Sequence, residues 1–209
     1  GGPAPIRETI AAAALMLAGF TGKEPLIDPM CGSGTFSLEG AMMALRIPPG
    51  WYRRFAFMEW PFFRPPAYAH IRRCAEEEFR DIGSCRIFAS DIDDDICRRL
   101  QSGLEAFNLS RAVRVEPGRD FFSFMPSEFT GEPGVVALNP PYGRRLADEK
   151  EVRNRLKEII GKLAKDYKGW RLALILPEPG MLKKIPFKFS SRPVFHGGLN
   201  LTLAYGLIQ

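Results

Sequence analysis

Five short apolar runs, separated by segments in which apolar residues recur at helical spacing, leave this chain few ways to fold. The runs are Leu26-Ile27, Arg86 to Ala89, Ala112 to Val115, Val135 to Leu138 and Leu172 to Leu176. The helical segments carry apolar faces at Ile10, Ala14 and Leu17, at Ile96, Leu100, Leu104 and Phe107, and at Val152, Leu156, Ile159, Leu163 and Tyr167. Short buried strands alternating with helices predict a parallel, doubly wound α/β sheet. The last stretch differs: Phe187 to Phe195, His196-Gly197-Gly198 and Leu199 to Ile208 read as strand, tight turn and strand, with the glycines accepting a positive φ. The expected sheet has seven strands, mostly parallel, and ends in a C-terminal antiparallel hairpin.

Composition narrows the function classes. With 209 residues, 45% of them hydrophobic, the chain sustains one sizeable core, and residues 1–209 are expected to form a single domain. No run of about 18 apolar residues is present, so no membrane span is expected. Ile10 to Phe20 reads as a core helix rather than a signal peptide. The cysteines Cys31, Cys74, Cys85 and Cys97 form no C-x-x-C pair, and the only histidines are His70 and His196. No metal site is expected, and the simplest setting is reduced and cytoplasmic. The net charge of +5 suits a nucleic-acid partner without requiring one.

Residues 47–66 break the alternation. Pro48, Pro49, Pro61, Pro65 and Pro66 exclude a long helix, and Trp51, Tyr52, Phe55, Phe57, Trp60, Phe62 and Phe63 stand among Arg53, Arg54 and Arg64. This insertion reads either as a lid covering the sheet edge with packed aromatics or as a surface that stacks on RNA.

Four strand ends carry the chemistry. Leu26-Ile27 runs into Asp28-Pro29-Met30-Cys31-Gly32-Ser33-Gly34-Thr35. Gly32 and Gly34 permit a sharp turn and close approach of a ligand at the carboxyl end of a strand. The loop lacks the Gly-Lys-Ser/Thr ending of a phosphate loop, and Asp28 favours a cationic, amino-acid-like ligand over a phosphate. Asp91, directly after the second strand, can accept hydrogen bonds from both hydroxyls of a ribose, with Ile92 against an adenine face. Among Asp93, Asp94 and Asp95, at least one is expected merely to cap the next helix. After the third strand, Asp120 can accept from an adenine amino group, with Phe121 closing that pocket.

Asn139-Pro140-Pro141-Tyr142 follows the fourth strand and is the sharpest signal. The prolines fix the backbone. The Asn139 side-chain carbonyl and the Pro140 main-chain carbonyl can together accept both hydrogens of one NH₂ group, and Tyr142 offers a flat face for a base. Such acceptors raise electron density on an amine whose lone pair is otherwise delocalised into its ring. A base inside a helix must be unstacked to reach them.

The segments Asp28–Thr35, Ser90–Asp93 and Asn139–Arg145, with the opening Arg7-Glu8-Thr9 and the insertion at 47–66, resemble the THUMP-associated RNA guanine-N2 methyltransferases, in the bacterial branch that acts on 23S ribosomal RNA. The likeness runs over nearly the whole chain. It implies a Rossmann-like, class I methyltransferase sheet that binds S-adenosylmethionine through Asp28, Cys31, Gly32, Gly34, Thr35, Asp91 and Asp120, with Met30, Ile92 and Phe121 beside them. It implies catalysis at Asn139, Pro140, Pro141 and Tyr142, with guanine N2 in RNA as acceptor. Family members carry a THUMP domain ahead of the catalytic one, for which this chain, opening at Gly1-Gly2-Pro3, leaves no room; it reads as a domain cut from a longer protein. Where members often have an acidic residue stands Arg144; Arg144-Arg145 reads equally as a phosphate contact or a solvated pair. The Asn-Pro-Pro-Tyr element also serves adenine, cytosine and protein-glutamine N-methyltransferases, so those acceptors stay open, as does a non-catalytic RNA-binding module. An intact Asn139–Tyr142 argues against the last.

Overall fold

The computed structural model describes residues 5–81, 83, 85–141, 149–177, 180 and 185–209. Its seven strands are β1 (Leu26–Asp28), β2 (Ile87–Asp91), β3 (Val113–Pro117), β4 (Val135–Leu138), β5 (Arg171–Leu176), β6 (Phe189–His196) and β7 (Leu199–Leu207). They form one sheet in the order β3-β2-β1-β4-β5-β7-β6. Strands β1 to β5 pair in parallel, whereas β7 runs antiparallel to both β5 and β6. The seven-stranded, mostly parallel sheet with a terminal hairpin is thus present. Pro193 sits in β6, an edge strand paired only with β7, where a missing N–H costs least.

The side-chain period of a strand divides the core between the two faces. On β4, Val135 and Ala137 join one cluster and Val136 and Leu138 the other, and all four are fully buried. The first cluster takes helices α1 (Glu8–Leu17), α2 (Thr35–Leu45) and α4 (Asp94–Ala106) through Leu15, Phe36, Ala41, Leu100 and Leu104. The second takes α5 (Glu149–Asp166) through Leu156, Ile159, Ile160 and Leu163, backed by Tyr167 and Trp170. Among the described residues, no helix is long and apolar enough to cross a membrane.

The insertion departs from the lid reading. It contains a 3₁₀ turn at Ala56–Glu59 and ends in a helix, α3 (Pro65–Glu76), that begins on its own prolines, as the first helical turn allows. Neither element buries a residue. Four of its rings pack on one another, with Phe57 within 5.8 Å of Phe55, Phe63 and Tyr68, centroid to centroid, while Tyr52 packs on Phe107 beyond the insertion.

Candidate active site

The strand order reverses at β1, which has β2 and β3 on one side and β4 and β5 on the other. Open α/β sheets bind ligands in the crevice that such a reversal leaves at the carboxyl ends of the strands. A cavity of about 260 Å³ lies there, walled by the loop after β1 (Met30, Cys31, Gly32, Thr35), by Asp91 and Ile92 after β2, by Asp120 and Phe121 after β3, and by Asn139 and Pro141 after β4. Residues chosen from four separate strand ends therefore share one wall.

The glycine loop is held from below. Asp28 is 1% exposed, and its Oδ2 accepts from the Ser37 backbone N–H at 3.2 Å and the Ser37 hydroxyl at 2.7 Å, joining the end of β1 to the first turns of α2. Its Oδ1 is buried with no hydrogen-bond partner among the described residues. Asp28 is not part of the cavity wall, a correction to its expected place against the ligand. Burial pushes its carboxyl up to about 7, outweighing the two Ser37 hydrogen bonds. A carboxyl whose pKa is higher folded than unfolded stabilises the fold in its protonated form, and that stability disappears as pH rises from about 4 to about 7. Asp28→Asn is expected to remove this dependence, so that urea titrations show the wild type losing about 2–3 kcal/mol more than the variant between pH 5 and pH 8. Parallel losses would show that Asp28 is not perturbed.

The two loop glycines differ in purpose. Gly32 has φ +52, and a Cβ there would meet nothing within 4 Å, so this position opens on the cavity. Gly34 has φ +76, but a Cβ there would stand 2.3 Å from Leu100 Cδ1. It lies outside the wall, and its missing side chain admits α4 rather than a ligand, which corrects the second expectation. Ser33 and Thr35 share a hydroxyl hydrogen bond of 3.1 Å across the loop. Cys31 is buried, and burial pushes its thiol and that of Cys97 up, so neither is poised as a nucleophile.

Asp91 closes the loop against β2. Its Oδ2 accepts from the Gly32 N–H at 3.0 Å and its Oδ1 from the Asp93 N–H at 3.1 Å. Each carboxylate oxygen has a second lone pair, so both can still take a ligand hydroxyl. The neighbouring acids are used locally: Asp93 caps α4, accepting from the N–H groups of Asp95 and Ile96, and Asp95 pairs with Arg98. Ile92 is 71% exposed and lies on the cavity.

Asp120 caps a 3₁₀ turn, its Oδ1 accepting from the Phe122 N–H at 3.1 Å. Phe121 is only 1% exposed and packs edge-on to Phe122 and Phe124, so it reaches the cavity as the margin of the core rather than as a free closing ring. Asn139 is half-buried and faces the cavity with Pro141; Pro140 is buried and outside the wall. Tyr142, Arg144 and Arg145 lie outside the described residues.

Sequence reasoning missed Pro5 and Ile6, which come from the segment before α1, and Ile96, Arg155 and Ile159 from two helices. Arg155 is the only cationic side chain among the described wall residues; it lies 4.4 Å over the Phe122 ring and pairs with Glu158 at 3.4 Å. Its signal was available, because it precedes Ile159 by one helical turn on the same face of α5. Among the described residues, no group of three His, Cys, Asp or Glu side chains is placed to hold a metal ion.

Residues 1–194 match the family model described as RMKL-like, methyltransferase domain. The chain is 32% identical over 204 residues to slr0064 of Synechocystis sp., covering 97% of this chain and 52% of that protein. It is also 32% identical over 217 residues to the ribosomal RNA large subunit methyltransferase K/L of Marinobacter nauticus, covering 100% of this chain and 30% of that protein. It therefore spans about half, or less, of the length of these relatives. Among solved structures, SMU.472 complexed with SAH superposes with a TM-score of 0.86 at 30% identity, over 99% of this chain and 54% of that one.

Proposed function

The chain belongs to the RMKL-like methyltransferase family and has a Rossmann-like, class I methyltransferase fold, and from that premise we propose that it transfers a methyl group from S-adenosylmethionine to the exocyclic N2 of guanine in RNA, with 23S ribosomal RNA as the substrate class. One observation carries the reading: Asp91, Asp120, Gly32 and Asn139 converge on a single cavity at the reversal point of the sheet. The ribosomal substrate is supported by the name of the Marinobacter relative, and N2 of guanine by the resemblance carried by Asp28–Thr35 and Asn139–Arg145.

The residues present fit the donor. Asp91 retains acceptor capacity for ribose hydroxyls, Ile92 offers an apolar face, Asp120 can accept from an adenine amino group, and Gly32 keeps the floor open. Asp28 positions the loop from below through its two hydrogen bonds with Ser37. When bound, S-adenosylmethionine supplies an electrophilic methyl carbon on a sulfonium. With donor and base bound, the Asn139 side-chain carbonyl on the cavity wall would accept one hydrogen of the acceptor amine and the main-chain carbonyl of Pro140, a residue buried behind that wall, the other, turning the lone pair towards that carbon; the N–C bond would form as the C–S bond breaks, and the amine would give up one proton. The remaining contribution is positioning, since an aligned pair of reactants needs no covalent intermediate.

Asp91→Ala removes a carboxylate acceptor and also releases the Gly32 N–H. Donor affinity is expected to fall roughly ten- to a hundredfold, measured by calorimetry with S-adenosylmethionine. An unchanged dissociation constant would displace the ribose from Asp91.

A further inference from the structure

The insertion holds a surface that the methyl-transfer reading does not use. Phe55, Phe57, Phe63 and Tyr68 form an inner ring cluster that fixes its shape. Trp60 and Phe62 are not part of that cluster and stand outward, 65% and 91% exposed. An aromatic ring so open to water gains nothing from the fold it belongs to. Around these rings Arg53, Arg54, Arg64 and Arg73 are exposed. From Trp51 to Arg80 the chain has six arginines and four acids; Glu59 pairs with Arg54 at 2.5 Å, and the other three, Glu76, Glu77 and Glu78, follow one another at the far end of α3, leaving Glu59 the one acid beside the outward rings in sequence.

The attachment points place this surface's root away from the cavity. Arg80 N–H donates to the Leu45 carbonyl at 2.9 Å, Arg46 pairs with Glu78 at 3.2 Å, and the Tyr52 hydroxyl donates to the Phe107 carbonyl at 2.8 Å. Leu45 ends α2 and Phe107 caps the end of α4. Both helices start at the carboxyl edge of the sheet, after β1 and β2, and run back, so both end at its amino edge. No residue of the insertion lines the cavity. A surface rooted there is not arranged to hold the reacting base.

We infer that the insertion is a remote anchor for an unpaired RNA segment, with bases stacking on Trp60 and Phe62 and Arg53, Arg54 and Arg64 meeting the phosphates. The inference rests on the RNA reading above. Stacking requires bases free of a helix, and it tolerates any base sequence because every base has a flat face. The excess of arginine over acid favours a polyanion over a protein surface, where an exposed Trp and Phe would also serve. The substrate is then held at two points on different edges of the domain, the target nucleotide in the cavity and a flanking single strand on the insertion.

The test uses the 209-residue chain without donor and a fluorescently labelled, unstructured RNA of about 20 nucleotides, followed by anisotropy, beside a duplex of equal length. The Trp60→Ala/Phe62→Ala double variant is expected to bind the single strand at least tenfold more weakly. The conservative Trp60→Phe/Phe62→Tyr pair should retain the affinity, and S-adenosylmethionine affinity should be unchanged in both. Neutralising Arg53, Arg54 and Arg64 to glutamine should flatten the logarithmic salt dependence by about two units. The inference is overturned if the wild type shows no binding at low salt, if the alanine pair binds the single strand as the wild type does, or if the loss is equal on duplex. It is also overturned if the alanine pair changes only self-association, which would assign the surface to a second copy. A wrong acceptor atom would show in the methylated product and leave these affinities untouched.

Discussion

Asn139→Ala is expected to lower methyl transfer by about 10²–10³-fold, the loss typical of removing one polar group aimed at developing charge, and to leave donor affinity within about twofold. The separation follows from where Asn139 stands. It leaves β4, whereas the residues proposed to hold the donor leave β1, β2 and β3, so its truncation should take nothing from the proposed ribose, adenine or loop contacts. The side chain lies at the end of a strand whose four residues are fully buried, and Pro140 beneath it is buried as well. The backbone is therefore held, and alanine deletes the amide without moving the strand. A tritium-transfer assay paired with donor calorimetry checks both halves. Full activity in the variant would remove the amine-polarising role, and a parallel fall in donor affinity would mean that the two sites are not separable.

The second large effect is a contrast between the two glycines that flank Ser33. Gly34→Ala is expected to cost about 2–4 kcal/mol of stability. Its Cβ would stand 2.3 Å from the Cδ1 of Leu100, a side chain 3% exposed in the core, and its φ of +76 is strained for any L residue. Gly32→Ala should cost about 1 kcal/mol of stability, from its positive φ alone, and weaken donor binding by at least about tenfold, because the new methyl group enters the space the ligand needs. Urea unfolding and donor calorimetry on the two variants read these signatures directly. Equal destabilisation, or a donor defect confined to Gly34, would mean that the loop is seated differently against α4.

The contrast marks how far the sequence could be read. Val135 to Leu138 was legible to the residue, because a central strand buried on both faces is an unbroken apolar run. The first strands were legible less sharply. β2 continues past Ala89 through Ser90 and Asp91, polar residues whose strand conformation comes from pairing with Glu116 and Pro117. Helix α3 buries none of its residues, so no core-facing stripe marked it.

The strand-end rule led to Asp91, Asp120 and Asn139 on one cavity wall because topology alone brings carboxyl ends together. It could not tell Gly32 from Gly34, or Asp28 from Asp91. That choice depends on which side of the loop α2 and α4 occupy, and so on long-range packing. Ile6 escaped for the same reason, since it reaches the cavity from a segment distant in sequence. The insertion was readable as aromatic and basic; its root at the amino edge of the sheet was not, because only Tyr52 and Arg46 in their folded contacts place it.

Mass spectrometry of nucleosides from 23S ribosomal RNA, incubated with this protein and isotopically labelled S-adenosylmethionine, tests the central claim most directly. Labelled N2-methylguanosine, absent when Asn139 is alanine, is the expected product. Label in N6-methyladenosine, or in no nucleoside under conditions where the donor binds, would contradict it.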